Sequence, residues 1–204
     1  MNSSDIGGRF LARRALPLLF LVIFPLLTAA RSVAQQKTSA APPTTADAQR
    51  QQLLTAAREI VQAARYCAVI TVDATGRAQA RTVDAFPPEE GMVVWFATNP
   101  KSRKVAQIKK DPRVTLYYFN SESPGLGYVT LLGRARLVED KAEKQKRWKA
   151  EWGALWPDRD ASYLLVEVTP ERLEVVSPKH GISGDPVTWT PPAIDFRQAN
   201  LPPH

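Results

Sequence analysis

The stretch MVVWFATNPKSRK, residues 92–104, decides the fold. Its first seven residues, Met92 to Thr98, are almost unbroken apolar and rich in valine and aromatic side chains. That pattern reads as a strand buried on both faces. Asn99-Pro100 then stops the strand. From Ser102 the spacing of Val105 and Ile108 is helical, and the helix ends at Lys110, before Pro112. A strand that turns directly into a helix leaves free backbone N–H groups at the helix start, and with the dipole these form a place for an anion. The side chains there are Thr98 and Ser102, two hydroxyls; Arg103, a planar fork; and Lys104, a point charge. Cations at a helix N-terminus are disfavoured unless an anion offsets them. The segment therefore reads either as a site for a phosphate monoester or as a serine cap followed by solvated basic residues, and residue types alone leave the two level.

Working outward, Asp47 to Arg65 places Leu53, Leu54, Ala57, Ile60, Val61 and Ala64 at three-and-four spacing, an amphipathic helix. The period then changes. Cys67–Val72 and Arg77–Phe86 read as two strands of a hairpin around the turn Asp73–Gly76. Arg113–Asn120 and Gly127–Val138 are further strands, and Ser162–Val168 and Arg172–Val176 close the series. A second helix is predicted from Asp140 to about Trp152, opened by Asp140 and Glu143 as a capping box. Strands in this number with only short helices between them predict an α+β fold, a small barrel of six to seven mostly antiparallel strands with short flanking helices. The tail from Pro178 carries six of the chain's 17 prolines and is predicted to lie extended over the surface.

The first 34 residues read as an address. Arg9, Arg13 and Arg14 precede an apolar run, Ala15 to Ala30, that is short and broken by Pro17 and Pro25, and Ser32-Val33-Ala34 offers small residues for cleavage after Ala34. The chain is thereby expected to be exported, to the periplasm or beyond, by a Sec or a twin-arginine signal, and to keep no membrane anchor. Residues 35–46 read as a linker, 47–177 as the folded domain and 178–204 as a proline-rich extension. Removing residues 1–34 takes away four arginines and Asp5, so the formal charge of +7 falls to +4. Much of the basic character is in the leader, which weakens any argument for nucleic acid. With one cysteine and two histidines the chain has no intramolecular disulfide, no thiolate zinc site and no multi-histidine metal site.

Thr98-Asn-x-x-Ser102-Arg103-Lys104 after an aromatic-rich strand, with Arg81-x-Val83 on the preceding strand, resembles the flavin-binding split β-barrel. This is the superfamily of pyridoxamine 5′-phosphate oxidase and the general-stress-protein flavoproteins. Asp111-Pro112-x-Val114 and the return strand through Gly133 fit it too, so the resemblance covers roughly residues 50–177. It implies that Arg81, Thr82 and Val83 line the ring and phosphate of FMN. Ala97 and Thr98 would sit beside the flavin, and Ser102, Arg103 and Lys104 would hold its phosphate. It also implies a homodimer in which the partner's return strand completes the site near Tyr117, Tyr118 or Tyr128.

The departures narrow the reaction. Tyr128 stands where the oxidase has a glutamine and Val176 where it has a tryptophan, and its arginine-x-histidine substrate motif has no counterpart in PKHGISGDPVTW, residues 178–189. The resemblance, closer to the general-stress-protein branch, implies a flavin-dependent oxidoreductase acting on an unidentified small molecule with an unidentified electron donor. A non-catalytic flavin or haem carrier, a deazaflavin-dependent reductase and a cofactor-free barrel are the alternatives. Trp148, Trp152 and Trp156 read as packing or as a lid over the flavin. Lys141, Lys144, Lys146, Arg147 and Lys149 read as a solvated face, Cys67 as a buried thiol, and His180 as an exposed loop residue. Trp189 is expected to pack on an apolar groove or to fold across the cofactor.

Overall fold

Alternation between inward apolar and outward residues builds most of the molecule from one curled sheet. The computed structural model describes residues 44–120, 127–158 and 162–196, all within the unit spanning 42–204. Its strands are β1 (Tyr66–Val72), β2 (Ala78–Asp84), β3 (Val94–Thr98), β4 (Arg113–Asn120), β5 (Gly127–Val138), β6 (Leu164–Val176) and β7 (Ala193–Asp195). Every pairing is antiparallel, in the order β2-β1-β4-β5-β6-β3, with β7 added to β6. The two edges of this sheet, β2 and β3, meet at an isolated bridge between Ala85 and Phe96, where Phe86 N donates to Trp95 O at 2.7 Å. The result is the small α+β barrel the strand count predicts, with the split form that the resemblance implies.

The first helix, α1 (Thr45–Ala64), starts two residues earlier than its apolar spacing suggests. Thr44 Oγ1 accepts from Asp47 N and Asp47 Oδ2 accepts from Thr44 N, both at 3.1 Å, so a reciprocal cap fixes the start. Its buried stripe, Leu53, Ala56, Ala57, Ile60 and Val61, closes one end of the barrel core with Leu116, Tyr118, Val129 and Leu173. The hairpin of β1 and β2 forms as read. Asp73 Oδ1 accepts from Thr75 N and Arg77 N, and Gly76 takes the φ of 84° that the turn requires.

The double burial of β3 has two partners. Val94 and Phe96 enter the barrel core, while Trp95 faces outward into a second cluster with Val138, Tyr163 and Leu165. Trp148, Trp152, Trp156 and Tyr163 stack edge-on and tilted over that cluster, with centroids 5.3–6.3 Å apart.

Three expectations give way to the structure. The two strands 162–168 and 172–176 are one, β6; Pro170 has no N–H to give the ladder, and the register shifts opposite it at Leu132/Gly133. Gly133 is required there, since a Cβ would lie 2.4 Å from Thr169 O. The helix 140–152 is broken into α3 (Lys141–Lys146) and a short 3₁₀ helix, Ala150–Ala154. The break lets Arg147 lie over the Trp95 ring, 3.7 Å from its centroid, and pair with Glu89, while it keeps the helical i,i+4 pair with Glu143. Lys149 becomes extended and binds Asp84 Oδ1 at 2.8 Å. Its basic residues are thus no solvated face: Lys144 and Arg147 are buried, and only Lys141 and Lys146 of the five are exposed. The tail is more than a surface strap. Ile182 and Ile194 join the core, and β7 extends the sheet beside Arg172–Glu174.

Candidate functional site

Past the Ala85–Phe96 bridge the two sheet edges separate, and a cavity of about 420 Å³ fills the opening. Thr82, Val83 and Asp84 of β2 form one wall; Ala97, Thr98 and Asn99 at the end of β3 form the other. Trp152, Leu155 and Trp156 cover a third side, and Tyr66 and Arg65 a fourth. The sequence put these tryptophans down as packing or lid; the structure shows the packing, in the outer cluster, and also puts Trp152 and Trp156 in the lining of the cavity. Leu155 and Tyr66 remain exposed at its mouth.

The basic end lies where β3 runs into α2 (Arg103–Lys110). Asn99 shapes the turn, its carbonyl accepting from Ser102 N and its Oδ1 from Lys101 N. Ser102 does not cap the helix; its hydroxyl lies 3.2 Å from Thr98 Oγ1, which also accepts from Lys104 Nζ at 2.8 Å. No acidic residue occupies the first turn. Thr98 is buried, Lys104 half-buried and Arg103 exposed.

Arg81 joins this end from β2. Its guanidinium donates to Thr71 Oγ1 at 2.6 Å, to Gln79 O at 2.9 Å and to Gln107 Oε1 at 2.9 Å. Burial, and then the Arg103 charge, lower its affinity for the proton; burial, and then Arg81, hold the Lys104 ammonium below the ordinary lysine range. Among the described residues no carboxylate pairs with Arg81, Arg103 or Lys104. The carboxylates that do line the cavity, Asp84 and Glu151, face Arg65 and Lys149 at the other end. Three cations repelling one another without a counter-ion cost stability in the free protein, and an anion removes that cost. This tips the balance left open by residue types toward an anion site.

The structure therefore gathers Arg81, Thr82, Val83, Ala97, Thr98, Ser102, Arg103 and Lys104 around one cavity and its basic end. Tyr128 is not at this cavity. It lies on the outward face of β5 beside Tyr117, ring centroids 5.8 Å apart. Tyr118 points the opposite way and is fully buried, so it drops out as a partner-facing residue. His180 is pinned rather than loose: Ser177 Oγ lies 2.9 Å from its Nδ1, and Nε2 faces Glu59 at 3.4 Å. Trp189 is 82% exposed and is not among the residues that line this cavity. Residue types outside the motif, Thr71, Gln107 and Asp84 among them, were not singled out by the sequence. Gln107 alone carried a signal, falling four residues after Arg103 and so near the same side of α2.

A family model described as pyridoxamine 5′-phosphate oxidase matches residues 53–177. The chain belongs to this family. Among solved structures of the same fold, a Clostridium acetobutylicum protein related to general stress protein 26 of B. subtilis superposes with a TM-score of 0.60 and 17% identity, over 72% of this chain and 97% of that one. General stress protein 26 from Bacillus anthracis gives 0.55 and 21%, over 72% and 98%. No curated protein matches the sequence. The family match ends at Ser177, so the tail that supplies Ile182, Ile194 and β7 lies beyond it.

Proposed function

We propose that the chain binds FMN in the cavity between β2 and β3, as an exported homodimer, and acts as a flavin-dependent oxidoreductase on a small molecule. The observation that carries this is the uncompensated basic end, Arg81, Arg103 and Lys104, set beside an apolar cavity bounded by Ala97, Val83 and two tryptophans. That combination suits a flat ring bearing a phosphate. Lys104 and Arg103 would bind the phosphate with the Ser102 and Thr98 hydroxyls, and Thr82, Val83 and Ala97 would bound the ring. Bound FMN would supply hydride or electron transfer; the chain's own residues orient it and shield it from water. The lining carboxylates, Asp84 and Glu151, pair with Lys149 and Arg65 and are assigned no proton transfer. Among the described residues the lining holds no histidine, cysteine or methionine, and the exposed Tyr66 is its one side chain of a haem-ligating type.

The dimer rests on the outward face of the sheet. Tyr66, Tyr117 and Phe119 are 36–49% exposed along β1 and β4. In a second copy this face, with Tyr128, would abut the cavity of the first. Burial and the nearby Tyr117 and Glu174 raise the Tyr128 phenol, so it would remain a neutral donor. Among the described residues no helix is long and apolar enough to cross a membrane; residues 1–34, read as an export signal, lie outside them.

Three measurements test the reading. Light scattering of the purified protein is expected to give twice the chain mass. The N-terminus of the exported protein is expected at Gln35. Anaerobic mixing with NADH or NADPH is expected to bleach the bound flavin at a rate matching turnover; bleaching far slower than that would leave a carrier in place of an enzyme.

A further inference from the structure

The hydrogen bonds of Arg81 form a closed ring that uses no charge. Arg81 Nη1 donates to Thr71 Oγ1 and Nη2 donates to Gln107 Oε1, while the Thr71 hydroxyl donates to the same Gln107 Oε1 at 2.6 Å. The two acceptor oxygens therefore sit side by side across the Nη1/Nη2 edge of the guanidinium, as the two oxygens of a carboxylate would. The second proton of Nη1 goes to Gln79 O. Of five N–H groups three are thus engaged. The other two, on Nε and Nη2, lie along the opposite edge and have no partner among the described residues.

A carboxylate in this place would hold the arginine equally well but cancel its charge. Threonine and glutamine hold it and leave the charge whole. Thr71 is buried at 1% exposure, and Gln107 projects from the helix that also carries Arg103 and Lys104. The ring thereby ties the strand bearing Arg81 to the helix bearing the other two cations.

We propose that Gln107, with Thr71, is the positioning and specificity-determining residue of the phosphate site. It turns the free Nε/Nη2 edge of Arg81 toward a phosphate monoester and keeps the site cationic, so that FMN is preferred over riboflavin. This rests on the FMN reading, and it assigns the preference for the phosphate to a residue that touches neither ring nor phosphate.

The decisive variants are Gln107→Glu, which keeps the shape and an acceptor oxygen in place of Oε1 but adds the neutralising charge, and Gln107→Met, which keeps length and removes the acceptor. FMN and riboflavin affinities are measured by flavin fluorescence on the purified protein. Gln107→Glu is expected to weaken FMN by at least about tenfold, the scale of one charge-assisted bond, with riboflavin unchanged. The FMN loss should shrink as pH falls and the new carboxyl protonates. Gln107→Met is expected to lose less, about threefold to tenfold, with no such pH dependence. FMN and riboflavin weakening together, or FMN affinity in Gln107→Glu within twofold of wild type, would overturn the proposal. Inorganic phosphate, followed by thermal melting, separates it from the flavin reading. Phosphate that raises the melting temperature of wild type but not of Gln107→Glu supports the role of Gln107 even if flavin does not bind. Phosphate that stabilises neither protein, or both equally, refutes it.

Discussion

Replacing Lys104 by alanine should weaken FMN binding while leaving the free protein as stable as before, or more so. Two consequences of the same geometry set these opposite signs. In the free protein Lys104 bonds, among the described residues, only Thr98 Oγ1, and it stands near the Arg81 charge, its ammonium disfavoured first by burial and then by that repulsion. Its loss removes a repulsion and one hydrogen bond from the ammonium to a neutral hydroxyl, terms of about 1–1.5 kcal/mol each that oppose one another. With a phosphate bound, Lys104 makes a charge-assisted bond worth about 1.5–3 kcal/mol. Its half-buried position favours the lower part of that range. FMN affinity should fall roughly 10- to 100-fold, and Lys104→Met, which keeps the apolar stem, should lose nearly as much. The pH dependence follows from the same depression. A lysine that holds its proton less tightly folded than unfolded makes a contribution to stability that improves as pH rises through its folded value toward its unfolded one. A bound phosphate restores the proton affinity, so FMN binding at a pH just below the ordinary lysine range should take up protons. Calorimetry in buffers of different ionisation enthalpy measures that uptake, and the variants should lack it. An unchanged FMN affinity in Lys104→Ala, or a loss matched by an equal fall in the stability of the free protein, would refute the assignment.

Other consequences lie away from the cations. Gly133→Ala should destabilise by about 1–3 kcal/mol or more, because the added methyl meets Thr169 O at 2.4 Å; urea unfolding with an unchanged midpoint would contradict the close approach of β5 and β6. Burial pushes the Cys67 thiol up to about 11, so a disulfide reagent at about pH 8 should label it only after unfolding; rapid labelling of the folded protein would place it at the surface. Ile194→Ala should cost about 2–5 kcal/mol if the tail is part of the core, as its 4% exposure indicates, and a change within error would make β7 dispensable.

Much of the barrel was legible because its signals are local. Turn chemistry at Asp73–Gly76, the strand runs on either side of it, and the switch from apolar strand to basic helix at Thr98–Lys104 are each written within about ten residues. The errors arose where a distant partner overrode a local pattern. Asp140 to Trp152 has helical spacing throughout, yet Arg147 gains more from Trp95 and Glu89 than from a straight helix, and Lys149 leaves it to reach Asp84. Pro170 between two apolar runs suggested a break, whereas a bulge opposite Gly133 absorbs it. At the site, hydroxyls and cations announced themselves by type and spacing. The groups that orient them did not: Thr71 and Gln107 come together only because β1 and α2 lie side by side in the fold. Asp84 and Glu151 carried no signal in the sequence, and their pairing with Lys149 and Arg65 is what confines the cavity's positive charge to one end.

The most direct test of the account is the visible absorption spectrum of the purified protein, recorded as isolated and again after incubation with FMN and exhaustive dialysis. Binding between β2 and β3 predicts a retained flavin spectrum at one FMN per chain, lost in Lys104→Ala at FMN concentrations that saturate wild type. A spectrum without flavin in either state would contradict it and leave the basic end of this cavity to a different anion.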